Sequence, residues 1–186
     1  MTTDDVTRSR RRRFVLPAAL AVAAGTATVL VPAAVAGPGA VGSHTGLSDL
    51  RPTVVDPTDS AAAHLTAVRA GGETHTVLAL HGLDRAAAGT TYGAHVHVGP
   101  CVEGDGAAAL GHFNIDVFQQ AHEVQVSPST EVWLDFTVTR GGTGHAVAHV
   151  PFEVPEGAAA SVVVHALPTA PDGSAGPRIA CLPVEL

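Results

Sequence analysis

In the segment Glu131–Arg140, apolar and polar side chains alternate at every second position. The apolar side chains of this alternation would lie on one face, as in a β-strand with one buried side; they are Val132, Leu134, Phe136 and Val138. The rest of the chain has no sustained apolar period of 3.6 residues, which an amphipathic helix would need. Aromatic residues make up only 4% of the chain, and lysine is absent. We therefore predict an all-β protein built mainly from small side chains.

Short strand-like segments separated by turns make up most of the remaining chain. They are Ala61–Ala70, Thr74–Leu80, Thr91–Val98, Gly144–Phe152, Ser161–Leu167 and Ile179–Leu186. The pair Gly71-Gly72 is a hairpin turn signal between the first two of them. Many short strands at this spacing predict a β-sandwich or a flattened β-barrel.

The N-terminus has the pattern of an export signal. An arginine cluster precedes an apolar run, Phe14–Ala36, which ends in the A-x-A sequence typical of a cleavage site. The arginines resemble a twin-arginine signal, with general secretion and an uncleaved membrane anchor as the alternatives. We therefore predict a signal peptide at residues 1–36, a flexible linker at 37–58 and a β-domain at 59–186, in a protein that is secreted or retained in the cell envelope.

The charge of the chain excludes two classes of partner. The formal net charge is −7, and removing residues 1–36 takes away five arginines and two aspartates, which changes it to −10. An acidic chain without lysine is poorly suited to nucleic acid or to an anionic membrane surface. We therefore expect no nucleic-acid partner and no membrane contact after signal cleavage. The sequence does not fix the oligomeric state.

The chain has two cysteines, Cys101 and Cys181. In an exported protein a pair of cysteines favours a disulfide, with two buried free thiols as the alternative. A bridge that closes about 80 residues would stabilise the fold by about 4–5 kcal/mol on the loop-entropy estimate.

Four histidines from three regions form a candidate metal site. His95 and His97 are an H-x-H pair, so both rings would project from one strand face with Cα atoms about 6.6 Å apart. His112 follows a Gly- and Ala-rich loop that can fold back to the same ion, and His165 ends the run SVVVH. Imidazole nitrogens favour Cu(II) over other divalent ions. The alternative is a zinc ion held by three histidines and a water, although no general base for hydrolysis stands out.

These segments resemble the copper/zinc superoxide dismutase (SOD) family, in its bacterial secreted branch. The matching motifs are GAHVH, GHFN, VVVHA and RIAC, which occur in this order within residues 59–186. The resemblance implies a Greek-key β-barrel, one copper ion per chain and a disulfide between Cys101 and Cys181. It also implies that superoxide is the substrate and that Cu(II)/Cu(I) cycling converts it to dioxygen and hydrogen peroxide. The implied copper ligands are His95, His97, His112 and His165.

The resemblance assigns catalytic roles to two residues. His112 would be both a copper ligand and a proton donor, since the family histidine at this position releases copper and takes up a proton in the reduced state. Arg178 lies where the family has an arginine that guides the anion, and its permanent charge suits a small anion. The alternative for Arg178 is a surface salt bridge.

The zinc motif of the family is not matched. In two-metal members, the segment after the bridging histidine supplies two further histidines and an aspartate to zinc. Here the corresponding positions hold Glu131 and Leu134, and His122 has the wrong spacing. The loop between His165 and Arg178 is also short. We therefore expect no zinc, as in the copper-only members of the family.

Glu131 is the candidate replacement for zinc. In copper-only members a glutamate hydrogen-bonds the far nitrogen of the bridging histidine, which here is His112. A metal-binding histidine needs that nitrogen held, because the hydrogen bond fixes the tautomer and the ring angle. Asp135 and Asp116 are weaker candidates for the same role. The alternative is that Glu131 is a solvated carboxylate on a strand.

Three functions remain to be compared. The first is an exported copper-dependent superoxide dismutase. The second is a protein that binds and buffers copper in the cell envelope without turnover, which the acidic surface permits. The third is a plain β-sandwich adhesion domain, which would leave the four motif histidines unexplained. The other histidines, including the pair His145 and His149 on one strand face, have no assigned role.

Overall fold

The structure is a computed structural model that describes residues 40–186. The predicted signal peptide lies outside the described residues. Residues 40–186 fall within one compact unit and contain ten β-strands, two short 3-10 helices and one α-helix, α1 (Ile115–Phe118). Within this part of the chain, no helix has the length and apolar character needed to cross a membrane.

Most of the strands form two four-stranded antiparallel sheets. The first sheet has the order β1-β3-β4-β8, the second β2-β10-β9-β6, and β5 pairs with β7 in a small third sheet. The bounds are β1 Ala40–Gly46, β2 Ser48–Asp49, β3 Ala62–Ala70, β4 Glu73–His81, β5 Thr91–Tyr92, β6 Ala94–His97, β7 Phe136–Thr137, β8 Thr143–Val150, β9 Ser161–His165 and β10 Arg178–Pro183. The predicted all-β fold is confirmed.

The main core lies between the two large sheets. Side chains of alternate residues reach it from both sides, as with Leu65 and Leu78 from the first sheet and Val162 and Val164 from the second. This period of two is what places one face of each strand inside. Each sheet also has an outer face, which points away from this core. The outer face of the first sheet is exposed to solvent, whereas loops cover the outer face of the second.

The hairpin predicted at Gly71-Gly72 joins β3 to β4 in continuous register. Both glycines have positive φ, 66° and 87°, a conformation that other residues adopt at a cost. Two central residues with φ above zero are the pattern of a type I′ turn, whose twist matches that of the flanking strands.

The segment that follows Thr130 is less regular than its alternation predicts. Only Phe136–Thr137 is a strand, although burial alternates from Val132 to Val138 as expected. Trp133 makes an isolated bridge to His95 and Glu131 makes one to Asn114. The segment therefore packs along β6 without a continuous ladder of backbone hydrogen bonds, because its successive residues pair with different parts of the chain.

Residues 37–58, predicted as a flexible linker, contribute two strands to the sheets. Strand β1 pairs with β3 over its whole length, and β2 pairs with β10. Strand pairing therefore begins before the predicted domain start at residue 59. The Gly- and Pro-rich composition indicated a loop, but the edges of the neighbouring strands supply the hydrogen bonds that order these residues.

Candidate metal centre

The fold brings together the four histidines singled out by the sequence. His95 and His97 lie on β6, and His165 is the last residue of β9, which pairs with β6. The loop after β6 folds back so that His112 makes an isolated bridge to His97. His95 and His97 are fully buried and His165 is 4% exposed, whereas the side chain of His112 is 18% exposed. The group is therefore closed on all sides except beside His112.

Strand alternation explains why these rings are outside the main core and yet buried. Ala94 and Val96 of β6 pack into the core between the sheets, so His95 and His97 project to the other side. Loops cover that side. A metal centre built here does not compete with the apolar core for space.

The ring spacing fits a single metal ion. The ring centroids of His95 and His112 are 4.1 Å apart, and the largest separation in the group, between His95 and His97, is 6.4 Å. One nitrogen from each of the four rings lies within 4.8 Å of the others. Two nitrogens on one ion lie no more than about 4.2 Å apart, so a small inward adjustment completes the set.

Backbone carbonyls hold two of the rings. His97 Nδ1 lies 3.2 Å from the Leu110 oxygen, and His165 Nδ1 lies 3.1 Å from the Gly176 oxygen. A carbonyl only accepts hydrogen bonds, so each Nδ1 carries the proton and donates it. The two Nε2 atoms are therefore lone-pair donors, and they face each other at 3.5 Å. Two facing lone pairs cannot bond to each other, but both can bind one cation.

A hydrogen-bond chain through Thr169 holds His95. The Thr169 hydroxyl donates to Asp135 Oδ1 and lies 2.7 Å from His95 Nε2. Because its proton is committed to Asp135, the hydroxyl accepts from His95, and the proton of that ring sits on Nε2. His95 Nδ1 is then an unprotonated, buried nitrogen with no hydrogen-bond partner. An orphaned buried acceptor is costly, and a metal ion would satisfy it.

Glu131 holds the fourth ring. Its Oε2 lies 2.7 Å from His112 Nδ1 and also accepts from Trp133 Nε1, while its Oε1 accepts from Asn114 Nδ2. Glu131 is only 3% exposed. Burial raises the pKa of Glu131, but the hydrogen bonds from His112, Trp133 and Asn114 outweigh it and leave the pKa below its ordinary value. An ionised carboxylate only accepts, so His112 Nδ1 carries a proton and donates it, which leaves Nε2 as the nitrogen that a metal ion could bind.

The three fully enclosed rings are neutral. Burial is the main cause that lowers the pKa of His95 to about 2, of His97 to about 3 and of His165 to about 4, with the neighbouring histidines adding to the effect. All four rings thus turn one nitrogen toward a common point, and in each ring a hydrogen bond holds the other nitrogen. This donor set fits a transition-metal ion that prefers nitrogen ligands.

Arg178 lies beside the histidine group. It stands opposite His165 in the ladder between β9 and β10. Its guanidinium donates to the carbonyl oxygens of Gly106 and Leu110, and the Leu110 oxygen also accepts from His97. Its positive charge contributes to the lowered pKa values of His97 and His165. Arg178 is therefore held by backbone carbonyls, and among residues 40–186 it makes no salt bridge to a carboxylate.

Cys101 and Cys181 form a disulfide with a Cα–Cα distance of 5.6 Å. Cys181 is fully buried with Leu50, Ala109 and Val163 in a small cluster on the outer side of the second sheet. The bridge ties the loop after β6 to β10. That loop carries the Leu110 carbonyl, so the disulfide also helps to hold the partner of His97.

Two predicted residues lie away from the expected position. Asp135 does not contact His112; it accepts from the backbone and hydroxyl of Thr169 and so acts on His95. Asp116 lies in α1 and accepts from the Gln125 backbone. His122 is exposed. The hydrogen-bond partners of each carboxylate depend on the paths of the loops, which the alternation of residues along a strand does not predict.

Sequence reasoning did not identify Thr169, Trp133 or Asn114. Each acts through another residue, and each comes from a loop or an irregular segment rather than from a motif at fixed spacing. One signal was available, because Asn114 belongs to the GHFN motif, where it also caps α1. An Asn two residues after a metal-binding histidine could have been read as a helix cap that also serves the site.

Comparison with known proteins identifies the fold. The described chain resembles a solved structure of the clock protein EA4, with a TM-score of 0.54 and 17% identity over 78% of this chain and 92% of that one. It also resembles a double mutant of a SOD-like protein from Bacillus subtilis, with a TM-score of 0.53 and 19% identity over 77% of this chain and 97% of that one. No protein-family model matches the chain, and no curated protein matches it by sequence. The chain thus has a SOD-like fold with a histidine group that could hold a metal ion.

Proposed function

We propose that this protein is a copper-dependent superoxide dismutase of the copper-only type, exported from the cell. The observation that carries the proposal is the convergence of four imidazole lone pairs, each fixed by a hydrogen bond on the other ring nitrogen. The SOD-like fold supports it. Copper is the expected metal because a four-nitrogen set suits Cu(II), and zinc has no redox chemistry.

The reaction consumes two superoxide ions and two protons and yields dioxygen and hydrogen peroxide. Copper bound by the four histidines would supply the one-electron chemistry by alternating between Cu(II) and Cu(I). The protein residues hold the ligand geometry, exclude bulk water and deliver protons. Three of the four rings are fully enclosed, which keeps the site dry except on the His112 side.

His112 is placed to handle the proton. Its Nε2 can hold either metal or a proton, while Glu131 keeps Nδ1–H in position throughout. The buried carboxylate would also stabilise the positive charge when Nε2 becomes protonated. His112 is the ring of the group that solvent reaches, so a proton lost from Nε2 can be replaced from water.

Glu131 takes the part that zinc plays in two-metal members. His112 Nδ1 is hydrogen-bonded to the carboxylate, so this nitrogen is not free to bind a second ion unless that bond breaks. Trp133 and Asn114 occupy two further acceptor sites of the carboxylate. The four-histidine site would therefore need one copper ion and no zinc.

Arg178 would draw superoxide to the site. Backbone carbonyls hold its charge near the histidine group, and no carboxylate in the described part of the chain forms a salt bridge with it. A local positive charge matters here because the mature chain is acidic overall and repels an anion. A guanidinium can also donate hydrogen bonds to a small oxyanion at the mouth of the site.

Export accounts for the remaining features of the chain. We propose that residues 1–36 are a twin-arginine-like signal peptide removed after Ala36, and that the mature protein works outside the cytoplasm. The disulfide between Cys101 and Cys181 fits an oxidising compartment. Such a protein would protect the cell envelope from superoxide.

The test is superoxide consumption by the copper-loaded mature protein, followed by pulse radiolysis. We expect catalytic turnover by the native protein, none by His165→Ala, and a roughly tenfold slower rate for Arg178→Ala with copper content unchanged. Arg140→Ala removes an exposed arginine elsewhere and is the matched control, expected to keep the native rate. Native turnover by His165→Ala would count decisively against the proposal.

The alternative is a protein that stores or delivers copper without turnover. The same histidine group supports it, because a fixed set of nitrogen donors binds copper whether or not superoxide reacts there. The assay above separates the two functions: stoichiometric copper uptake with no superoxide consumption would favour storage.

A further inference from the structure

Histidines are concentrated on the exposed face of the first sheet. Along strands β3, β4 and β8, successive side chains point alternately into the core and out of the sheet. Most of the outward side chains are exposed. Among the described residues, the histidines on this outer face are His64, His75, His81, His145 and His149. With the four of the metal centre, they account for nearly all of the eleven histidines in the chain.

Two of these histidines and a glutamate form a compact cluster. His75 on β4 lies directly opposite His149 on β8, and their rings stack with centroids 4.1 Å apart and an interplanar angle of 10°. Glu73, two residues before His75, lies on the same face. Its Oε2 is 3.0 Å from His149 Nε2 and 3.7 Å from His75 Nε2. One ligand atom of each side chain lies within 4.8 Å of the other two.

We propose that Glu73, His75 and His149 form a second binding site for a divalent transition-metal ion of the Cu(II) or Zn(II) type. Two imidazole nitrogens and one carboxylate oxygen are ligands that both ions accept. Ligand atoms on one ion lie within about 4.2 Å of each other, and both distances to the carboxylate oxygen already satisfy this limit.

The cluster keeps room for the ion and for water ligands. The side chains of His75 and His149 are 52% and 51% exposed, and that of Glu73 is 46% exposed. In the stacked arrangement the in-plane lone pairs of the two rings run side by side, so the exposed rings must rotate out of the stack to point both nitrogens at one ion. Water can occupy the remaining coordination positions, which a site with three protein ligands leaves open. Because three exposed side chains must be fixed in one arrangement on binding, this site should be weaker than the buried centre.

This site is separate from the four-histidine centre. Leu78 and Leu80 of β4 face the core between the sheets, so Glu73 and His75 point away from it. His95 and His97 point away from the same core on the other sheet. The two metal sites therefore lie on opposite outer faces of the sandwich, and one ion cannot occupy both. The surface site does not depend on the proposed enzymatic function.

The test is a titration of the metal-free mature protein with Zn(II) and, in a second arm, with Cu(II), followed by calorimetry. The native protein should take up two ions per chain, one tight and one weaker. His149→Ala should lose the weaker ion and keep the tight one. His165→Ala should weaken the tight site and keep the surface site, which shows that the two are independent.

His145→Ala is the matched control, because His145 is exposed on the same face of β8, about 13 Å along the strand from His149. It should still bind two ions. In the zinc arm, nuclear magnetic resonance should show the ring signals of His75 and His149 shifting together as the weaker site fills. The proposal is overturned if the native protein binds a single ion, or if His145→Ala loses the weaker ion just as His149→Ala does. Superoxide turnover should be the same in His149→Ala as in the native protein. A failure of the enzymatic proposal would therefore appear in the turnover assay, and a failure of the surface-site proposal in the titration.

Discussion

One carboxylate, Glu131, determines how His112, the most exposed ring of the candidate metal centre, is held. It accepts hydrogen bonds from His112, Trp133 and Asn114, and it is almost fully buried. These three donors outweigh the cost of burial and keep the carboxylate ionised. In the proposed copper site, the negative charge of Glu131 beside His112 Nδ1 would take the place of a neighbouring metal ion, because it would fix the tautomer and raise the basicity of Nε2.

Replacing Glu131 with glutamine tests this role. Glu131→Gln keeps the size of the side chain but turns one acceptor oxygen into an NH₂ group, so at least one of the three incoming donors loses its partner. We expect copper affinity to fall by about 10- to 100-fold. The measurement is a competition titration of copper against a coloured chelator.

Glu123→Gln is the matched control for this substitution, since Glu123 is an exposed carboxylate of the same segment. It should leave copper affinity at the native level. Equal affinities for Glu131→Gln and the native protein would show that the carboxylate does not tune the site.

At the residue scale, the sequence identifies the four clustered histidines better than the residues that hold them. His95, His97, His112 and His165 stand in short motifs, and strand parity alone places the first two on one face. The parity of Glu131 also separates it from Val132 and its apolar neighbours. That Glu131 is buried, however, depends on Trp133 and on loops distant in sequence, which no local pattern reports.

At the scale of the elements, the regular hairpin is predicted well and the irregular segment poorly. Strands β3 and β4 alternate cleanly and pair along their whole length. The segment Glu131–Arg140 alternates as clearly, but only Phe136–Thr137 becomes a strand. The alternation sets which side chains are buried, whereas the pairing partners set whether a ladder forms.

Close packing between β7 and β8 gives a prediction at this scale. Gly144 lies against Phe136, and a Cβ added at Gly144 would be 2.5 Å from the ring carbon Cδ2. Phe136 is 2% exposed and part of the core, so its ring cannot move aside freely. Gly144→Ala should lower the free energy of unfolding by about 1–3 kcal/mol.

The measurement for Gly144→Ala is urea denaturation followed by circular dichroism. Gly46→Ala is the control, because Gly46 also lies in a strand but has nothing within 4 Å of the added carbon. If both variants unfold at the native urea concentration, the packing of Gly144 against Phe136 is not as tight as described.

For the whole molecule, the buried histidines make stability depend on pH. The pKa values of His95, His97 and His165 are lowered from 6.5 to about 2, 3 and 4. Above pH 6.5 these rings are neutral in both the folded and the unfolded protein. Below pH 6.5 these histidines bind protons in the unfolded chain but stay unprotonated in the folded chain, so the free energy of unfolding falls.

We therefore expect the metal-free protein to lose stability steadily as the pH falls from about 6.5 to about 4, and more slowly below that. Each proton contributes a slope of up to about 1.4 kcal/mol per pH unit. The measurement is chemical denaturation at a series of pH values. His95→Asn removes one of the three groups and should show a shallower slope. A free energy of unfolding that stays constant between pH 7 and pH 4 would contradict the neutral, buried state of these rings.

The claim on which the account depends is that four imidazole rings bind one copper ion. The most direct measurement is electron paramagnetic resonance of the metal-free mature protein after one equivalent of Cu(II) has been added. The account predicts a single copper species with splitting from four ring nitrogens, and one nitrogen fewer in His112→Ala. A native spectrum with two nitrogens or fewer, or one that does not change in His112→Ala, would contradict it.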